Sequence, residues 1–410
     1  MERFFRNPHT IRKKRQGPQG AYIDDFAQLL SEQGYTRECA RRLLRVVAEF
    51  SHWLSCLHLT VKDIKVTNVK RFFRSRVRCQ PAARGSAASL KAFFELLYRK
   101  GAVAAPIRAV KKTPIDKMLG DFSLYLQQER ALAPGTIANY LLDTKKFLAH
   151  RFGRRPVNIS KLAAAEVVES VQRLALPISR KRAKVMTSGL RTFLRYARYQ
   201  GLIRSNLAAC VPAIADWSVA SIPKGLPTEH VKRALASCDR KSAIGRRDYA
   251  ILLLLARLGL RAGEVCLLHL EDIDWQVGSL TIRGKGNYCS QLPLPPDVGR
   301  AIADYLKNGR QRSSDRSVFL KTCAPVANLS SGTIGLIVNK ALARAGINPY
   351  QKGAHQFRHA LATKMLRQGA SLAEIGEILR HQHPQTTSIY AKVDIASLRR
   401  LALPWPGGSR

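Results

Sequence analysis

The last third of this 410-residue chain gathers side chains suited to breaking a phosphodiester without a metal. That reaction needs fixed cations on the non-bridging phosphate oxygens, where charge builds in the transition state. It also needs a nucleophile, an acceptor for its proton and an acid for the departing oxygen. Arginine suits the first task, because its planar fork meets phosphate oxygens in pairs and keeps its charge. Arg261 closes an apolar run in Leu258-Gly259-Leu260-Arg261-Ala262-Gly263-Glu264. Lys285 lies in the turn Gly284-Lys285-Gly286-Asn287. His355 and Arg358, in His355-Gln356-Phe357-Arg358-His359, are spaced to share a helix face. His381 and Tyr390 follow, separated by Pro384 and a Thr386-Thr387 pair. Taken singly, Arg261 reads as a surface arginine, Lys285 as a turn lysine and Tyr390 as a core tyrosine. Only their joint spacing argues for chemistry. His355 and His359 have the spacing of zinc ligands, but the HExxH glutamate is absent and Arg358 between them would repel a cation.

The elements that must position these groups are mostly helices. An apolar helix over Asp248–Leu260 precedes Arg261. Leu280–Arg283 and Gln291–Leu294 read as strands of a hairpin with Lys285 at its tip. Thr333–Ala345, Gln356–Gln368 and Leu372–Leu379 are helical again, as is a terminal stretch after Tyr390. Upstream, two helical modules of about one hundred residues follow one another. Ser89-Leu90-Lys91-Ala92-Phe93 sits 100 positions before Gly189-Leu190-Arg191-Thr192-Phe193, and Gly101 sits 100 before Gly201. This suggests a duplication, against chance similarity of amphipathic helices. The expected organisation is a flexible basic arm over 1–20, a helical module over 21–110 and a second over 113–215. A linker over 216–227, a mixed α/β module over 228–394 and a tail over 395–410 complete it. The fold class is mainly α, with a small β-hairpin or sheet in the C-terminal module (α+β).

The charge balance names the partner class. Lys and Arg number 69 against 28 Asp and Glu, a formal net charge of +41. A surface this basic calls for a polyanion. No apolar run approaches the roughly 20 residues that span a bilayer, which leaves nucleic acid ahead of membrane. The eight cysteines are scattered without a CxxC pair, so neither a zinc site nor a disulfide framework is suggested.

In order and type, these residues resemble the tyrosine recombinase (phage integrase) signature of Arg, Lys, His-x-x-Arg, His and Tyr. Lys285 follows Arg261 by 24 positions, His381 follows Arg358 by 23 and Tyr390 follows His381 by 9, spacings ordinary for that family. The resemblance covers 228–393, extends to Thr113–Ala215 as the family's SAM-like core-binding domain, and fades in the first module. It implies that Arg261 and Arg358 clamp the scissile phosphate and that His381 adds a hydrogen bond. Tyr390 would attack phosphorus, leaving a 3′-phosphotyrosine and a free 5′-hydroxyl. His355 would take the phenol proton, Lys285 would protonate the leaving oxygen and Glu264 would buttress Arg261. No cofactor, metal or ATP is implied.

The implied function is site-specific recombination of double-stranded DNA, as integrase or mobile-element transposase. A homo-tetramer would act on two DNA sites, with or without sister recombinases, in the bacterial cytoplasm at the nucleoid. The alternatives are a type IB topoisomerase and a DNA-binding protein without catalysis. Two positions depart from the family: Arg380 replaces the usual glycine before His381, and Tyr288-Cys289-Ser290-Gln291 lacks the arginine often found after the hairpin lysine. Beyond Tyr390, Val393, Leu398, Leu401 and Trp405 form an apolar series that would dock on a neighbouring protomer or on its own subunit.

Overall fold

The computed structural model describes residues 1–61, 66–77, 86–103, 113–153, 157–215, 225–284, 289–348 and 353–393. They belong to two compact units, Ile107–Ser221 and a unit that joins Met1–Pro106 to Ile222–Arg410. The linker over 216–227 falls largely outside the described residues, as do Lys285 and the apolar tail with Leu398, Leu401 and Trp405.

The first module comprises α1 (Pro8–Lys14), α2 (Gly20–Glu32), α3 (Arg37–Cys56), α4 (Val66–Val77) and α5 (Ser86–Arg99). Its core is aromatic: Phe26 meets Phe93 edge-on at 5.2 Å, and Phe50 meets Phe94 at 5.8 Å. The segment read as a flexible basic arm is folded. Met1, Phe4, Phe5 and Ile11 are buried in that core, and Arg15 pairs with Asp24 at 2.7 Å. The basic run suggested a solvated tail, but the apolar residues among the charges anchor it.

The second unit comprises α6 (Pro114–Gln128), α7 (Pro134–Phe152), α8 (Ala164–Ala175) and α9 (Arg180–Tyr199). Thr113 and Asp116 cap α6 reciprocally, with Pro114 opening the helix. Phe122, Phe147, Leu190 and Phe193 fill the core. The packing plan matches that of α2 to α5: first helix on second, second on fourth, first on fourth. Gly101 and Gly201 each follow the fourth helix of their set at φ +68° and +71°. Among the described residues, no atom beyond the chain neighbours lies within 4 Å of a Cβ placed at either, so the left-handed backbone asks for glycine.

The rest of the chain forms α10 (Thr228–Ala236), α11 (Ala243–Arg257), α12 (Ala262–Cys266), β1 (Ile273–Asp274), β2 (Ser279–Arg283) and β3 (Cys289–Pro293). It continues with α13 (Pro296–Asn308), α14 (Ser331–Arg344), α15 (His355–Arg367), α16 (Leu372–Ile378) and α17 (Pro384–Thr387). Helix α11 is the central rod: Ala250 to Leu255 are all buried, and it packs on α13 and α15. It starts five residues earlier than expected because the Ser242 hydroxyl caps it, accepting from the Gly245 N–H. The hairpin strands pair antiparallel, Thr281 opposite Gln291 and Arg283 opposite Cys289, and two-residue β1 adds a third strand beside β2. The protein is thus mostly helical with one small antiparallel sheet. Among the described residues, no helix is long and apolar enough to cross a membrane.

Candidate active site

The first wall of the site is the turn that ends α11. Gly259 takes φ +58°, and Arg261 returns to extended backbone as the residue that caps α12. A Cβ on Gly259 would lie 2.7 Å from Leu379 Cδ2, so glycine is required there by both conformation and space. Glu264 then folds back on Arg261. Its Oε2 accepts from the Arg261 backbone N–H at 2.9 Å, and its Oε1 accepts from Arg261 Nη1 at 2.7 Å. Glu264 is only 4% exposed. Burial by itself would raise its pKa, but the Arg261 N–H and the charges of Arg380 and Arg261 outweigh burial and hold it below the usual carboxylate range.

The end of α16 forms the second wall. The His381 N–H returns to Gly376 O and the Arg380 N–H to Glu377 O, both at 2.9 Å. These are the paired bonds of a Schellman cap, which needs a left-handed residue and usually employs glycine. Here that residue is Arg380, at φ +54°; an L side chain there costs about 1–2 kcal/mol. Its Nη2 donates to Glu264 Oε2 at 3.1 Å and its Nη1 to Ile378 O at 2.9 Å. Glu264 therefore serves two arginines, Arg261 beside it in sequence and Arg380, which is 116 positions away.

Arg358 lies behind both walls and is 3% exposed. Its Nη1 donates to Gly259 O at 2.6 Å and its Nη2 donates to Leu379 O, tying the two turns together. Burial, then the neighbouring Arg261 and Arg380, push its pKa down to about 9, which leaves it charged at neutral pH. His381 Nδ1 is 2.7 Å from Thr387 Oγ1. Burial, then repulsion by Arg358, Arg261 and Arg380, push the His381 pKa down to about 4, so its ring is neutral at pH 7. A neutral ring that accepts from Thr387 at Nδ1 carries its proton on Nε2 and can donate it to an anion. Arg261, Glu264, Arg380 and His381 line one open pocket, with Ser290 of β3 on one side and the exposed Glu377 at the rim.

Tyr390 is not among the residues lining this pocket. It is 1% exposed and packs with Ala362, Ile375 and Leu379. Burial pushes its pKa up to about 12, against the opposing pull of Arg358. Its hydroxyl is 2.8 Å from Nδ1 of His359, one turn beyond His355 on α15. Burial, then His355 and Arg358, lower the His359 pKa and favour the neutral ring. His355 is exposed at the first turn of α15, its ring 6.2 Å from that of His359. Sequence reasoning weighed His359 only as half of a zinc pair. Among the described residues no three candidate ligands cluster for a metal. The helical spacing that puts His359 on the face of His355 was its only available signal, because Tyr390 lies 31 positions away. Lys285, the expected acid, lies outside the described residues, which resume in β3 at Cys289.

Arg261, Glu264, Arg358 and His381 thus lie close together, with Arg380 and His359 beside them. The phage integrase family matches residues 224–396, and the phage integrase N-terminal SAM-like domain matches residues 119–201. The putative integrase/recombinase y4rA of Sinorhizobium fredii is 43% identical over 99% of both chains. The XerH site-specific recombinase bound to palindromic difH substrate, in a post-cleavage complex, has a similar fold at 18% identity and a TM-score of 0.57. That match covers 77% of this chain and 89% of XerH. A lambda integrase tetramer bound to a Holliday junction is similar at 17% identity and a TM-score of 0.52, over 76% of this chain and 88% of that one. The recombinase reading holds, and the topoisomerase and DNA-binding alternatives do not. With a full-length relative at this identity and both family domains in order, the chain belongs to the phage integrase family of tyrosine recombinases.

Proposed function

We propose that this protein cuts and rejoins double-stranded DNA at specific sites through Tyr390. One observation carries the residue assignments. Arg261 and His381 share one pocket, and Arg358, directly behind, bonds the backbone turn before each of them. The Tyr390 Oη would attack phosphorus and the bond from phosphorus to the 5′ oxygen would break, giving a 3′-phosphotyrosine and a 5′-hydroxyl. Arg261 and Arg358 would offset the charge that grows on the non-bridging oxygens, and His381 would donate one hydrogen bond. The phenol proton would pass to a neutral histidine of α15. His355 is the candidate from the sequence, and His359 is the partner of the hydroxyl in the resting arrangement. Lys285 would protonate the leaving oxygen. The phosphotyrosine conserves the bond energy, so rejoining requires no ATP.

Attack requires Tyr390 to leave its buried place. Ionising it there would cost roughly 3 kcal/mol for a shift of about two pKa units. The net charge of +41 supports binding through phosphate contacts that weaken steeply with salt. The tetrameric lambda integrase complex supports action as a homo-tetramer on two DNA sites. DNA as substrate and bacterial relatives such as y4rA support the bacterial cytoplasm as the place of action. The test is covalent trapping on a nicked duplex carrying the recombination site, without metal, on a denaturing gel. A shifted band from wild type that is absent from Tyr390→Phe is expected. No band on DNA shown to be bound would sink the proposal.

A further inference from the structure

Resting on the phosphate site just described, we propose that Arg380 is a third phosphate-binding arginine, which Glu264 holds beside Arg261 until a DNA phosphodiester enters the pocket. Arg380 lines the pocket with Arg261, while Arg358 lies behind it and also bonds two backbone carbonyls. The Arg380 side chain is 11% exposed, and its Nε is buried without a hydrogen-bond partner among the described residues. A guanidinium has five N–H donors, and the bonds to Ile378 and Glu264 leave others to give at the pocket.

A purely structural role does not account for this side chain. The backbone bonds of the cap at the end of α16 need no side chain, and its left-handed residue at φ +54° favours glycine; the guanidinium adds one bond there, from Nη1 to Ile378 O. Glu264 is already met by two donors of Arg261. An arginine at this position is strained, and without it Glu264 would still meet two donors of Arg261. It does change the charge of the pocket. Arg261, Arg358 and Arg380 against buried Glu264 leave a surplus of two positive charges, since the exposed Glu377 is screened by solvent. A phosphodiester attacked by a phenolate carries two negative charges in its pentacoordinate state. Without Arg380 the surplus is one. Glu264 meanwhile limits repulsion among three guanidiniums while the pocket is unliganded, and each arginine it holds lines the pocket that the phosphate would enter.

The experiment compares wild type, Arg380→Gly, Arg380→Asn and Arg380→Lys by trapping on the nicked duplex and by gel-shift affinity on the same DNA. Glycine is the residue this backbone favours, and asparagine tolerates it, so at least one charge-deleting variant is expected to fold with a wild-type melting curve. Losing a transition-state donor predicts a cleavage rate lower by roughly a hundredfold at saturating protein, with affinity within a few-fold of wild type. Lysine, keeping the charge without the fork, is expected to recover part of the rate. A second duplex carries a neutral methylphosphonate at the scissile position. There the loss caused by Arg380→Gly should shrink to less than about tenfold, because the charge that Arg380 opposes is gone. A merely structural arginine would show the same loss on both substrates, and that result would overturn the proposal. So would a folded Gly or Asn variant that cleaves at the wild-type rate. If wild type itself forms no Tyr390-dependent adduct, the underlying reading fails and takes this proposal with it. A normal Tyr390-dependent adduct in the Arg380 variants removes this proposal alone.

Discussion

Replacing Glu264 with glutamine tests whether one buried carboxylate holds the arginine cluster together. Glutamine keeps the shape and one acceptor oxygen but removes the charge. The change leaves Arg261, Arg358 and Arg380 without the buried anion that Arg261 and Arg380 contact at 2.7 and 3.1 Å. Arg358, already pushed down to about 9 by burial and by those two neighbours, would lose its offsetting attraction to Glu264. Breaking a buried pair from one side costs about 3–5 kcal/mol. The part-exposed Arg261 can recover water, so we expect the lower end, roughly 3 kcal/mol. For a folding unit of the size of Met1–Pro106 together with Ile222–Arg410, that is a fall in melting temperature of roughly 5 °C. The pH dependence gives an independent check. The folded-state pKa of Glu264 lies below the ordinary carboxylate value of 4.5, so its stabilising effect is present above pH 4.5 and is lost as pH falls through the folded value. The gap between wild type and Glu264→Gln should therefore be widest at neutral pH and narrow below about pH 4.5. Scanning calorimetry from pH 7 to pH 3.5 measures both. A fall below 2 °C at pH 7, or a gap of constant size across the range, would refute the reasoning.

Three further outcomes follow from the same geometry. Gly259→Ala should destabilise the site by about 1–3 kcal/mol, because the left-handed turn penalises a Cβ and that Cβ meets Leu379. Urea unfolding measures it, and an unchanged midpoint would contradict the geometry. Tyr390→Phe should leave neutral-pH stability within about 1 kcal/mol of wild type, since only the bond to His359 is lost. At alkaline pH the two should diverge. The raised pKa of Tyr390 means that wild type loses stability as pH rises from 10 through about 12, and the phenylalanine variant lacks this loss. Parallel melting curves across that range would show that the hydroxyl is not buried as described.

The chemistry was legible in the sequence because order and spacing along a chain survive folding. The interval from Arg261 to Tyr390, the His-x-x-Arg pair on one helix turn and the excess of positive charge are properties of the string itself. Helix periodicity located α15 and α16 to within a residue or two, and alternation with glycines located the hairpin. The basic arm misled, because local charge outvoted Phe4, Phe5 and Ile11, whose partners in α2 and α3 lie elsewhere in the chain.

What only the tertiary structure decided are the partnerships across long separations. Glu264 reaches Arg380 over 116 positions, Arg358 bonds Gly259 across 99, and His359 meets Tyr390 across 31. Burial decided the protonation states: the same histidine and tyrosine exposed to water would titrate near 6.5 and 10, whereas here His381 falls to about 4 and Tyr390 rises to about 12. A sequence names the groups that can carry charge. Which of them lose water and which opposing charge they meet depend on how distant segments pack, and those two quantities set the energies of the site.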